Sequence, residues 1–179
     1  KQKPPVDYAD KSDRIPTIPK EEMTMKKIVI GSDMSGFTLK EAVKKHLEGL
    51  GFEVTDVGTL SPDQPVEYYE VGSNLGQAVS SGQFDRGVVI CGTGMGVSLI
   101  ANKYPGVYCG LCESVYAVDR ARTFNNINVL GLGGFFAAPE LGCKMVDTFL
   151  ETEWKQGEDA GTAAVLEAAY KYMQELEKK

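Results

Sequence analysis

The chain has 179 residues, 42% hydrophobic and 25% charged, with a formal net charge of −6. That length suits one domain with a full core and is short for two. An acidic chain without a Lys/Arg cluster argues against a nucleic-acid partner, and no apolar run approaches the ~20 residues that span a bilayer, which argues against a membrane role.

Residues 1–24 read as an N-terminal extension: Pro4, Pro5, Pro16 and Pro19 break any helix there, apolar residues are sparse, and the stretch lacks the apolar core of a signal peptide. From residue 25 to 157 the pattern alternates. Short apolar runs at 27–31, 52–57, 86–90, 107–111 and 128–132 predict strands. Between and after them, stripes at helical spacing predict helices over 39–50, 68–79, 95–103, 114–123 and 139–150. Residues 158–179 read as one more helix, rich in alanine, whose Val165, Ala169, Tyr172 and Leu176 form an apolar stripe. A helix outside a compact sheet domain needs a surface to bury it, and a partner subunit is the natural one.

Strands alternating with helices predict a three-layer, doubly wound α/β fold: five parallel strands, Rossmann-like, helices on both faces, and the extra C-terminal helix. Ligands of such sheets bind at the carboxyl ends of the strands. Those ends here carry Ser32 to Gly36, Gly58-Thr59, Cys91 to Gly96, and Cys112-Glu113-Ser114.

Gly92-Thr93-Gly94-Met95-Gly96 follows a predicted strand and opens a predicted helix, so its amides and the helix N-terminus offer donors to an anion. It is not a dinucleotide fingerprint, whose third glycine would fall at Val97, nor a phosphate loop, which needs Gly-Lys-Ser/Thr. Cys91 stands directly before it, where the same donors favour a thiolate. A base beside an oxyanion site is what proton removal next to a carbonyl requires. The other cysteines, Cys109, Cys112 and Cys143, lie in apolar segments; Cys109 and Cys112 are spaced like half a zinc site but lack a second pair and read as buried hydrophobes. No metal and no cofactor is expected, and the cysteine usage fits a reducing cytoplasm.

Gly31-Ser32-Asp33-x-x-Gly36, Asp56-x-Gly58-Thr59, Ile90-Cys91-Gly92-Thr93-Gly94-x-Gly96, Ala101-Asn102-Lys103 and Asn128-Val129-Leu130-x-Leu132-Gly133-Gly134 together resemble the ribose-5-phosphate isomerase B and galactose-6-phosphate isomerase family, from about Lys26 to Lys155. The resemblance implies a metal-independent aldose–ketose isomerase working through an enediolate, as a homodimer or tetramer with sites shared across the dimer interface. It implies Cys91 as the proton-transfer base, Thr93 as the hydroxyl assisting at the substrate oxygens, and the amides of Gly92, Gly94, Met95 and Gly96 as the anion hole. It places Asp33 and the adjoining Met34, Tyr68 and Asn102 along the substrate pocket.

The chain also departs from that pattern. Where typical members carry Asp-His-Ala-Gly, it has Asp33-Met34-Ser35-Gly36. Glu113 stands where ring-opening members carry a histidine after the fourth strand, with three roles open to it: acid or base, ligand to a sugar hydroxyl, or ion-pair partner of Arg122. The family's His-x-Arg-Arg tail is replaced by Glu158 to Thr162, which leaves Arg122 as the candidate phosphate ligand. The expected substrate is therefore a sugar other than ribose 5-phosphate, short or open-chain, such as a four-carbon one, phosphorylated or not. The alternative reading is a non-catalytic sugar- or sugar-phosphate-binding protein on the same fold.

Overall fold

A computed structural model describes residues 27–178 of the chain; the extension read at 1–24 lies outside the described residues. Strand β1 (Lys27–Ser32) shows how the sequence builds the layers. Its side chains alternate: Ile28 and Ile30 enter one core with Leu39, Val43, Val118, Met145 and Phe149, while Val29 enters the other with Val71, Leu75 and Val97. The same split runs through β3 (Gly87–Cys91) and β5 (Val129–Gly133), so these central strands are apolar on both faces.

β2 (Glu53–Asp56) and β4 (Cys109–Leu111) form the edges of the five-stranded sheet, whose order is β2-β1-β3-β5-β4 with every pairing parallel. Helices α1 (Phe37–Gly49), α4 (Val115–Asn125) and α5 (Pro139–Glu151) cover one face; α2 (Tyr68–Ser80) and α3 (Met95–Ala101) cover the other. The chain direction reverses between β1 and β3, so the strand ends bearing Asp33 and Cys91 flank the topological switch point. β4 is shorter than its apolar run because the amide of Val107 bonds Tyr104 O and that of Tyr108 bonds the Asn128 side chain.

The sixth helix, α6 (Ala160–Leu176), starts on Asp159, whose carboxylate caps Gly161 and Thr162. It rests on the domain through Tyr170, which meets the rings of Tyr108 and Trp154, and through a Lys155–Glu167 ion pair. No α6 residue is buried, and Val165, Tyr172 and Leu176 are exposed. No helix among the described residues is long and apolar enough to cross a membrane.

One charge is fully buried. Lys40 of α1 lies at 0% exposure with Nζ 2.6 Å from Asp56 Oδ2, 2.5 Å from Thr59 O and 2.9 Å from Glu41 Oε1. The other oxygen of Asp56 accepts the Gly58 N–H at 3.1 Å, and Thr59 returns its own N–H to Ser32 O at 2.8 Å. The ammonium thus clamps the turn after β2 onto the end of β1 and sets where the chain re-enters at α2. Lys40→Met would leave the Thr59 carbonyl without its donor and Asp56 with Lys44 Nζ, 3.4 Å from Oδ2, as its only cation, so it should lower unfolding free energy by about 1–3 kcal/mol in urea titration.

Candidate active site

Cys91 is the last residue of β3 and is nearly covered, at 6% exposure. Its Sγ accepts the Gly94 N–H at 3.1 Å, the contact a thiolate requires. Gly94 can deliver that N–H because it turns at φ +76°, and a Cβ there would stand 2.6 Å from Leu111 Cδ1 and 2.8 Å from the Leu132 carbonyl. Its own carbonyl is pinned by the buried Ser98 hydroxyl at 2.6 Å. The Met95 N–H reaches Thr93 Oγ1 at 3.3 Å. The amides of Gly96 and Val97 lie in the first turn of α3, where a helix offers them no carbonyl of its own. The loop thus commits Gly94 to the sulfur and sets the first helical turn beside it.

The ends of β1 and β5 complete the floor. Asp33 uses Oδ1 to cap the turn at Gly36 at 3.0 Å, with Met34 exposed beside it. Past β5, Gly134 N–H donates to Cys91 O at 2.8 Å and Phe135 N–H to Gly92 O at 2.9 Å, so the chain after β5 runs bonded alongside the loop. Tyr68, first in α2, lays its ring on Gly96, where a Cβ would lie 2.7 Å from it. Asp33, Met34, Tyr68, Cys91, Gly92, Thr93, Gly94, Met95 and Gly96 are thus gathered at one end of the sheet.

Three predicted site residues are not so gathered. Each helix following a strand carries the chain back to the strands' amino ends. Arg122, late in α4, accordingly lies at the opposite end, 5% exposed, donating to Thr152 O at 3.2 Å, Asn126 Oδ1 at 3.1 Å and Ile127 O at 2.5 Å. Burial presses its pKa down to about 10, so it stays cationic at neutral pH, but its donors are spent on the backbone. Asn102, just past α3, is displaced for the same reason and brackets the backbone of Cys109 instead, at 2.9 and 2.7 Å. Glu113 is exposed at the end of β4, with β5 between that strand and β3; its pairing with Arg122 is ruled out, since α4 separates them.

The other described arginines are engaged as well. Arg120 pairs with Asp119 and Glu158, and Arg86, at the start of β3, donates to Phe149 O at 2.5 Å. The chain's one histidine, His46, links α1 to α5 through Asp147 at 2.6 Å. Burial pushes the Cys109 thiol up to about 12 and the Cys112 thiol to about 11, so both are protonated at neutral pH. Among the described residues, no group of three or more His, Cys, Asp or Glu is placed to hold a metal ion. Sequence reasoning missed Ser98 and Phe135. The adjacent aromatics Phe135-Phe136, directly after a glycine pair at a strand's carboxyl end, were the signal for the second.

A cysteine, a hydroxyl and a glycine loop gathered at the switch point of a parallel sheet define an α/β protein with its candidate active site there. The chain belongs to the ribose/galactose isomerase family, whose model matches residues 28–165. It is 46% identical over 156 residues to a 4-deoxy-4-sulfo-D-erythrose isomerase from a Clostridium species, covering 81% of this chain and 98% of that one. It is 38% identical over 133 residues to ribose-5-phosphate isomerase B of Escherichia coli, covering 74% and 89%. The solved ribose-5-phosphate isomerase B of Clostridium thermocellum superposes with a TM-score of 0.76 at 38% identity, covering 85% of this chain and 97% of that one. The chain is accordingly an aldose–ketose isomerase, and the non-catalytic alternative falls away.

The position of Arg122 has a measurable consequence. Arg122→Ala should lower stability by about 2 kcal/mol or more, because two buried carbonyls lose their donor. It should leave KM within about twofold, whereas a direct anion contact of roughly 1.5–3 kcal/mol would raise KM about tenfold or more.

Proposed function

We propose that the chain interconverts a four-carbon aldose bearing a sulfonate on C4 with its ketose, using Cys91 as the base. In the forward direction the Cys91 thiolate takes the proton from C2 and the C1 carbonyl becomes an enediolate oxygen. The amides of Gly96 and Val97 stabilise that oxygen, and Thr93 relays the proton between O2 and O1. The Cys91 thiol then returns its proton to C1, giving the ketone at C2 with nothing oxidised or reduced overall. Asp33 and Tyr68 hold the hydroxyls of the remaining carbons.

The observation that carries this reading is what the loop lacks: His46 and all three described arginines, Arg86, Arg120 and Arg122, are engaged elsewhere. A 4-deoxy-4-sulfo tetrose has no O4, so it cannot close a furanose ring and needs no residue to open one. Its sulfonate is a monoanion, whereas a phosphate monoester approaches a dianion at neutral pH, with its second pKa near ~6. The smaller charge has less need of a guanidinium clamp. The named activity of the Clostridium relative supports the same substrate.

The catalytic unit is a homodimer or tetramer, and α6 supports this: its exposed Val165, Ala169, Tyr172 and Leu176 fall on one stripe with nothing over them in the single chain. A reducing, cytoplasmic setting suits a site that works through a free thiol.

The direct test is turnover on 4-deoxy-4-sulfo-erythrose, erythrose 4-phosphate, free erythrose and ribose 5-phosphate. The sulfo-tetrose should have the highest kcat/KM; best turnover on ribose 5-phosphate would overturn the reading. Cys91→Ala should lower kcat by about 10²–10⁴-fold with KM nearly unchanged, the pattern of a lost proton-transfer group. In sedimentation velocity, Tyr172→Lys with Leu176→Lys should shift the protein toward monomer.

A further inference from the structure

Ser98, the fourth residue of α3, is buried. A serine inside a helix often bonds the carbonyl four residues back. Two features set this one apart. The carbonyl it takes, at 2.6 Å, is that of Gly94, the same residue whose N–H meets Cys91 Sγ at 3.1 Å. The helix's own bond to that carbonyl, from the Ser98 N–H, is long at 3.3 Å, so the hydroxyl is the closer donor. The hydroxyl also occupies a slot that β5 leaves open for it. At Gly131 a Cβ would stand 2.2 Å from Ser98 Oγ and 3.4 Å from Cys109 Sγ.

We propose that Ser98 is a positioning residue for Cys91: by holding the Gly94 carbonyl, its hydroxyl keeps the Gly94 N–H on the sulfur and favours the ionised sulfur. The inference rests on the reading of Cys91 as the base. Gly94 turns at φ +76° and has no side chain, so the peptide planes on either side of it can swing at little cost. A neutral thiol is a weak acceptor and does little to hold the N–H in place by itself. Pinning the carbonyl fixes one plane, which leaves only rotation about φ to carry the N–H away. A hydrogen bond to the charged form of a thiol favours that form, so a looser Gly94 means less thiolate. Ser98 acts through Gly94 rather than on the substrate.

The test is the ultraviolet absorbance of the Cys91 thiolate against pH, taken as the difference between each protein and the same protein carrying Cys91→Ala. In Ser98→Ala the thiolate should appear at higher pH, its fraction on the acid limb falling about three- to tenfold. On whichever sugar the wild type turns over fastest, kcat on that limb should fall in step, with KM within about twofold. Ser98→Thr, which keeps a hydroxyl able to reach the same carbonyl, should restore both. Gly131→Ala, which displaces the hydroxyl without deleting it, should reproduce the shift and carries the test if Ser98→Ala does not fold. An unchanged titration in folded Ser98→Ala, whatever its thermal midpoint, would overturn the proposal. So would the same loss in Ser98→Thr, since packing rather than the hydroxyl would then be responsible. Failure of the base reading shows separately, as turnover retained by Cys91→Ala, while the titration still reports whether Ser98 acts on the sulfur.

Discussion

The site depends on how closely the ends of three strands approach one another. At Gly36 a Cβ would lie 2.7 Å from the Ile90 side chain, at Gly134 it would meet Ser35 O at 2.7 Å, and at Gly133 it would meet Thr93 O at 2.9 Å. No side chain fits between β1, β3 and β5 at their carboxyl ends. That closeness lets Gly134 and Phe135 bond the backbone of Cys91 and Gly92, which stiffens the loop from the side opposite α3. The Gly94 N–H can then meet the sulfur without the loop having to reorganise during reaction, the condition under which backbone dipoles contribute most to catalysis. The Lys40 clamp does the corresponding work one layer out, by fixing the turn that leads to Tyr68.

Most of the fold was legible because the signals were local and periodic. Runs such as Ile28-Val29-Ile30 and Val88-Val89-Ile90 are apolar at every position, as strands buried on both faces must be, and the glycine loop announced itself by composition. Cys91 could be placed because it adjoins that loop in sequence. Arg122 and Asn102 lie away from the loop of their own chain for a directional reason. Both stand at the far end of a helix that starts near the site, and a helix packed antiparallel to its strand returns to the opposite edge of the sheet. Charge or polarity alone does not encode that distance. The packing of Phe135 on Gly92 escaped because it comes from β5 lying next to β3, an adjacency that skips β4 in the chain and cannot be seen in a linear pattern.

The proposed sulfo-tetrose relieves the site of two demands. An isomerase acting on cyclic sugar phosphates must open a ring and hold a dianion before any proton moves. Both tasks call for extra titratable or cationic groups, and these add a desolvation cost of their own when closed into a pocket. A site of one thiol, hydroxyls, main-chain amides and the single carboxylate of Asp33 keeps that cost low, at the expense of weak purchase on a dianion. Burial keeps the thiols of Cys109 and Cys112 protonated.

The side chain of Asn102 has one more consequence. It accepts the Cys109 N–H and donates to the Cys109 carbonyl, so an amide takes the place that a neighbouring strand would fill along β4. β4 is only three residues long, and Asn128 also occupies the amide of Tyr108 just before it. That edge of the sheet therefore has little backbone left to template another strand, the protection that open sheets need against edge-to-edge aggregation. Copies of this chain are steered away from pairing through that edge and toward meeting through helix faces, where side chains rather than backbone decide what binds.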